Sequence, residues 1–153
     1  MKDSRLLFLS SWVALLVLSI LITLASLGSL GTAYFGAQDT LTPAVRLEEI
    51  NTLGGEAAVD AFKGRRATAA TFALACGLLS VFVVLIPYRR GELWSWWALL
   101  ISIGLSQLLS MARALTLGTV IGTGSAGLIF GFLALGLLAG APRMFLRRKN
   151  LEV

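Results

Sequence analysis

Four long stretches of apolar and small residues alternate with short clusters of charge along this chain. No charged residue lies between Arg5 and Asp39, Arg66 and Arg89, Glu92 and Arg113, or Arg113 and Arg143. A helix needs about 20 apolar residues to cross the hydrocarbon core of a bilayer, and each stretch is that long or longer. The pattern predicts an all-α protein, a four-transmembrane-helix bundle with an amphipathic extramembrane segment between helices 1 and 2. The expected spans cover about residues 6–35, 67–87, 93–113 and 119–141, with an outer loop at 36–66, in a single membrane domain over residues 1–150. Leu151-Glu152-Val153 reads as the start of an appended linker.

The first stretch exceeds what a bilayer requires, so tilt or an extramembrane turn must absorb the excess. It is also far longer than the ~7–15 apolar residues of a signal peptide, and is read as a retained span. At about 100° per residue, Trp12, Ser19, Thr23 and Ser26 share one face, with Ala14, Ala25, Gly28 and Thr32 nearly opposite. In the loop, Thr42-Pro43 reads as the cap and first residue of a short helix reaching about Leu53. Gly54-Gly55 should break it. A second helix is expected from near Glu56, with Ala58, Val59 and Phe62 facing the membrane or the bundle, continuing through Gly64 into the second span. Such a segment can lie on the bilayer surface over the bundle.

The second span stops at Pro87, and a small-residue stripe of Ala69, Ala73, Cys76 and Ser80 runs along it. Cys76 is expected to be packing, protonated and inert in an apolar setting. Next comes Pro87-Tyr88-Arg89-Arg90-Gly91-Glu92-Leu93-Trp94-Ser95-Trp96-Trp97. Two arginines on a tight glycine turn and three tryptophans suit the headgroup region, where amphipathic rings prefer to sit. The bland reading is an anchored cytoplasmic hairpin. The sharper one makes Arg89, Arg90, Glu92, Trp94, Trp96 and Trp97 a contact for a lipid headgroup or a partner. This turn, with a polar or amphipathic segment before the preceding span, resembles a recurring pattern in small four-helix prokaryotic membrane proteins. The resemblance implies architecture and location, and no activity.

In the third span Ser95, Ser102, Ser106, Ser110 and Arg113 fall in one sector at helical spacing, with Gln107 just beside it. Arg113 lies roughly 30 Å from the cytoplasmic entry, near the outer interface. It is expected either to snorkel to outer headgroups or pair with Glu48, Glu49 or Asp60, or to end a polar groove that binds an anionic group. The fourth span carries the pairs Gly118/Gly122, Gly127/Gly131 and Gly136/Gly140, each a GxxxG spacing that permits close helix approach. They leave two smooth faces, so this helix should pack on two sides, inside the bundle, in a homodimer or in a larger membrane complex. Gly122-Thr123-Gly124-Ser125-Ala126-Gly127 matches the GxGxxG spacing of dinucleotide sites. That motif works only between a strand and a helix with an acidic residue about 20 positions on, and neither is present here.

Composition narrows the function. The chain is 57% hydrophobic and 14% charged, with no histidine and one cysteine. Without histidine, haem b ligation by a histidine pair is excluded; with one cysteine, so are an internal disulfide and a dithiol relay. No Asp or Glu falls inside the four stretches, which argues against a small proton-coupled multidrug antiporter. No cofactor and no metal site is expected. The sequence pI near 10.2 reflects juxtamembrane cations facing anionic lipids, not nucleic-acid binding. Lys2, Arg5, Arg89, Arg90, Arg143, Arg147, Arg148 and Lys149 fall on one side of the expected topology. Arg46, Lys63, Arg65, Arg66 and Arg113 fall on the other. The positive-inside rule then puts both termini in the cytoplasm, in the cell (inner) membrane.

Two function classes remain. One is a non-catalytic subunit or binder of lipid or another small apolar ligand, with membrane lipids as partners. The other is a membrane enzyme acting on a lipid or sterol-like substrate, with Glu48, Glu49, Glu56 or Asp60 as acid and base at the bilayer surface.

Overall fold

The computed structural model describes residues 2–35, 47–117 and 123–149. Among these, every residue except Gly91 and Glu92 is helical. Helix α1 spans Lys2–Phe35, α2 Leu47–Val83, α3 Leu93–Leu99, α4 Leu105–Leu117 and α5 Thr123–Lys149. Two π-helical segments intervene, Val84–Tyr88 after α2 and Leu100–Gly104 between α3 and α4. The Thr42-Pro43 cap, Gly118 and Gly122 lie outside the described residues, as do the side chains of Glu48 and Glu49.

Four helical stretches are long and apolar enough to cross a membrane: Leu6–Phe35, Gly54–Tyr88, Leu93–Arg113 and Thr123–Phe145. Only 22–28% of the most apolar part of each is buried within the protein. Leu21, Leu24, Phe72, Leu128 and Leu135 are all more than half exposed. Apolar surface of that extent is unsuited to water and fits a multi-pass membrane protein. Residues 56–66, expected in the outer loop, continue without a break into the apolar part of α2. The break falls at Gly55, whose φ of 70° belongs to the left-handed region that glycine enters without a Cβ penalty.

The chain forms two compact units, Met1–Ile20 with Leu78–Val153, and Leu21–Gly77. In the first unit the start of α1, the Val84–Tyr88 segment, α3 and α5 enclose Leu15, Val84, Tyr88, Leu99, Leu133, Leu137 and Met144, all 2% exposed or less. Helix α1 meets α5 at Gly136, where an added methyl would fall 2.7 Å from Leu15 Cδ2. The π segment brings Gly104 against α5, where a methyl would lie 3.5 Å from Leu133 and 3.9 Å from Phe130. In the second unit the rest of α1 presents Thr23 to Gly77 of α2, and Ala33 and Ala70 are buried. Arg66 donates from Nε to Ser29 Oγ at 3.2 Å. Ser19, Thr23 and Ser26 of α1 are buried, whereas Ala14, Ala25, Gly28 and Thr32 are exposed. Hydroxyls of Ser19 and Ser26 donate to Leu15 O and Ile22 O at 2.8 and 2.7 Å, which lets the polar face sit inside without orphaned donors.

Candidate functional site

The candidate site is built on the hairpin that leaves α2. Pro87 has no N–H and its ring crowds the preceding turn, so a regular α-helical ladder fails there. The Val84–Tyr88 segment widens instead, and the Arg89 N–H reaches back five residues to Val84 O. The same carbonyl accepts Trp12 Nε1–H from α1 at 3.0 Å. Gly91 then takes φ 76°. Its N–H bonds Tyr88 O at 2.9 Å, and the Glu92 N–H bonds Pro87 O at 3.0 Å. These two bonds with a left-handed glycine form the Schellman ending of a helix. Glu92 opens α3 in an extended conformation, and its carbonyl accepts both the N–H and the Oγ–H of Ser95, at 3.1 and 2.5 Å. The turn buries Tyr88 and leaves Arg89 exposed beside it.

Tyr88 is fully buried, with its ring parallel to Phe8 at 5.7 Å between centroids. Its hydroxyl lies 2.6 Å from Ser11 Oγ, which itself donates to Gly136 O at 2.7 Å. Serine has one hydroxyl hydrogen and it is committed to Gly136, so Tyr88 donates and Ser11 accepts. The relay ties three elements together: the hairpin, α1 and α5. It also requires glycine at position 140, where a methyl would overlap the Tyr88 hydroxyl and come within 2.7 Å of Ser11 Oγ.

Beside this relay opens a cleft of about 390 Å³ lined by Phe8, Leu9, Trp12, Arg89 and Arg143. Arg143 Cζ stands 4.2 Å over the Phe8 ring, and Arg89 Cζ 5.4 Å over the Trp12 ring. Both are cation–π distances, and a guanidinium stacked on a ring keeps the N–H donors along its edge. Among the described residues neither arginine meets a carboxylate. Glu92, the one acidic side chain described in this unit, accepts from Trp94 Nε1 at 2.7 Å. Chemically, the cleft offers two guanidinium donors beside aromatic rings, which suits an oxyanion attached to an apolar body. Among the described residues no three of His, Cys, Asp or Glu converge, so no metal-donor set forms there.

Of the residues the sequence singled out, Arg89 lines the cleft while Arg90 is exposed on the turn. Trp96 donates to Leu137 O at 2.9 Å and packs edge-on against Trp97 and Phe145. Trp94 and Trp97 are about half exposed. The serine sector is unevenly buried. Ser95 is fully buried, Ser102, Gln107 and Ser110 are half-buried, and Ser106 and Arg113 are exposed. The π segment at Leu100–Gly104 widens the helix between Ser95 and Ser106. Ser106 donates to Ile103 O at 2.7 Å, so its hydroxyl is satisfied by its own helix. Asp60 is exposed on α2. Among these glycines, a methyl added at Gly136 or Gly140 would meet neighbours closely, one at Gly127 would lie 4.0 Å from Met111, and one at Gly131 would have nothing within 4 Å.

Sequence reasoning missed Phe8, Leu9, Ser11, Tyr88 and Arg143 as a group, and placed Trp12 only on a polar face. Phe8 and Trp12 lie one turn apart on α1, and Ser11 adjoins them on that side of the helix. That spacing of two aromatics ahead of a long apolar run was the available signal. In the second unit a groove of about 440 Å³ is lined by Tyr34, Gly64, Ala67, Thr68, Thr71 and Phe72. The Thr68 and Thr71 hydroxyls donate to Gly64 O and Ala67 O at 3.0 and 2.9 Å, so both are satisfied by their own helix. No protein family, curated protein or solved structure matches this chain.

Proposed function

We propose that this is a non-catalytic multi-pass membrane protein that binds an anionic lipid. The headgroup is held between Arg89 and Arg143 and the acyl chains lie against exposed apolar helix faces. In this reading both termini face the cytoplasm, where anionic headgroups attract juxtamembrane cations. The single observation that carries it is the cleft of Phe8, Leu9, Trp12, Arg89 and Arg143, with its two guanidiniums stacked on aromatic rings. Glu56 and Asp60, acid and base candidates of the enzyme reading, are exposed on α2, which favours the binder. The test is native mass spectrometry of the purified protein and of the Arg89→Gln/Arg143→Gln double variant. Anionic lipid should be retained by the first and lost from the second. Equal retention by both would refute the assignment of the cleft.

A further inference from the structure

We infer that the cleft selects a phosphomonoester, a headgroup able to carry two negative charges, over the singly charged phosphodiesters of most anionic lipids. This deepens the lipid-binding reading and rests on it. The argument begins with donor geometry. A guanidinium fork binds bidentately along one edge between two unesterified phosphate oxygens. A phosphodiester has two such oxygens and therefore one edge, enough for a single fork. A phosphomonoester has three oxygens and three edges, so Arg89 and Arg143 can both engage it in fork geometry.

Charge points the same way. The unit that holds the cleft carries nine cationic and three acidic residues, a net +6, while the other unit carries four and five, a net −1. Glu92, three residues along the sequence from Arg89, is engaged by Trp94. Neither guanidinium is neutralised by a described carboxylate, so the pair presents a charge of +2 to whatever enters. Each guanidinium stands over a ring, Arg143 over Phe8 and Arg89 over Trp12, and fork geometry, rather than diffuse attraction, is the basis of selection.

The attached body is apolar. Leu9 lines the cleft, and Val13, Val17 and Ile20 continue from it along the same face of α1, 41–55% exposed. An acyl chain leaving the cleft can follow that ridge. The group recognised is the phosphomonoester, whether it arrives on a diacylglycerol lipid or on a small soluble molecule.

The experiment titrates the detergent-purified full chain with dioleoyl phosphatidic acid, dioleoyl phosphatidylglycerol or dioleoyl phosphatidylcholine, and counts bound lipid by native mass spectrometry. At about pH 8, above the second phosphate ionisation near 6, phosphatidic acid should bind about tenfold more tightly than phosphatidylglycerol. Near pH 5, where both lipids carry one charge, the ratio should fall toward one. Arg89→Lys and Arg143→Lys keep the charge and remove the fork. Each should bring the ratio of phosphatidic acid to phosphatidylglycerol binding toward one, phosphatidic acid losing the more, and helical circular dichroism confirms that the variants fold. Excess glycerol 3-phosphate distinguishes the sources: displacement assigns the site to soluble phosphomonoesters, no displacement assigns it to the lipid, and either supports phosphomonoester selection once the preference is seen. Equal binding of phosphatidic acid and phosphatidylglycerol at pH 8 overturns the inference and leaves the lipid-binding reading standing. Binding of neither above phosphatidylcholine overturns both.

Discussion

Replacing Gly140 with alanine should break the Tyr88–Ser11–Gly136 relay, and the way it breaks can be predicted from three distances. The new methyl would overlap the Tyr88 hydroxyl and lie 2.7 Å from Ser11 Oγ and 3.1 Å from Tyr88 Cζ. Tyr88 has no room to swing aside, because its ring is fully buried and stacked on Phe8. Overpacking of this kind costs about 1–3 kcal/mol. The two hydrogen bonds lost with it add about 0.6 kcal/mol each, the average for membrane proteins, with an upper bound near 1.7. Gly140→Ala should therefore destabilise the protein by about 2–4 kcal/mol in reversible unfolding in mixed micelles. Gly131→Ala serves as the control, because nothing lies within 4 Å of its Cβ position, and it should shift stability by less than about 0.5 kcal/mol.

The sharper test is the sign of a second change. In the native background Tyr88→Phe removes one hydrogen bond and should cost about 0.6–1.7 kcal/mol. In the Gly140→Ala background the same change removes the atom that collides. The methyl then meets a ring carbon at 3.1 Å, which a shift of a few tenths of an ångström relieves, while its 2.7 Å approach to Ser11 Oγ persists and makes the rescue partial. Tyr88→Phe should thus stabilise the alanine variant, with a coupling of about 1–3 kcal/mol in the double-mutant cycle. Additive losses would mean that the two residues do not share this contact, and the reasoning would fail.

Three further outcomes are expected. Gly91→Val should cost about 1–2 kcal/mol in thermal unfolding because φ 76° opposes a β-branched side chain, whereas Gly91→Asn should cost clearly less; equal losses would contradict the left-handed turn. Gly77→Ala should destabilise by about 1–3 kcal/mol and be only partly rescued by Thr23→Ala, since a methyl there also meets Thr23 backbone atoms at 3.1 and 3.2 Å, which no side-chain change can move. For topology, an impermeant thiol reagent on intact cells should label a cysteine introduced at Gly55 and spare one at Ser4; the reverse pattern would invert the proposed orientation.

Legibility differed between elements for physical reasons. The four apolar stretches could be read directly, because exclusion of charge over about 20 residues is what a bilayer-length helix demands. Gly54-Gly55 and Gly91 could be read as breaks, because only glycine enters φ near +70° without penalty. The continuity of α2 from residue 56 through Gly64 was also readable, since no residue after Gly55 opposes a helix strongly. Packing partners were not readable. Ser11 lies 77 positions from Tyr88 and 125 from Gly136. In a soluble helix the apolar face marks the core, but in a membrane helix lipid-facing and core-facing residues are both apolar, and periodicity loses its contrast. The glycine pairs show the same gap. Spacing identified three equivalent pairs, and of the two among the described residues the arrival of Leu15, Ser11 and Tyr88 marks Gly136/Gly140 as the closer approach. The π segments were hidden too.

A serine and a tyrosine in hydrogen-bond contact invite a catalytic reading, and the direction of their bonds argues against it. The relay runs from Tyr88 to Ser11 to Gly136 O and ends on an amide carbonyl. A nucleophile needs a base that can take its proton, and an amide oxygen is far too weak a base to do so. Ser11 is 1% exposed and Tyr88 is fully buried, so no reacting group reaches either oxygen. What faces the cleft instead is two guanidiniums. Arginine stays protonated at any physiological pH; it donates hydrogen bonds and charge but accepts no proton. A site whose exposed groups can only donate, beside a relay whose acceptor is backbone, is suited to holding an anion still. In the proposed binding mode the buried relay, by locking Tyr88 against Phe8 and Gly140, would steady the ring under Arg143 and the turn that carries Arg89 before a headgroup arrives.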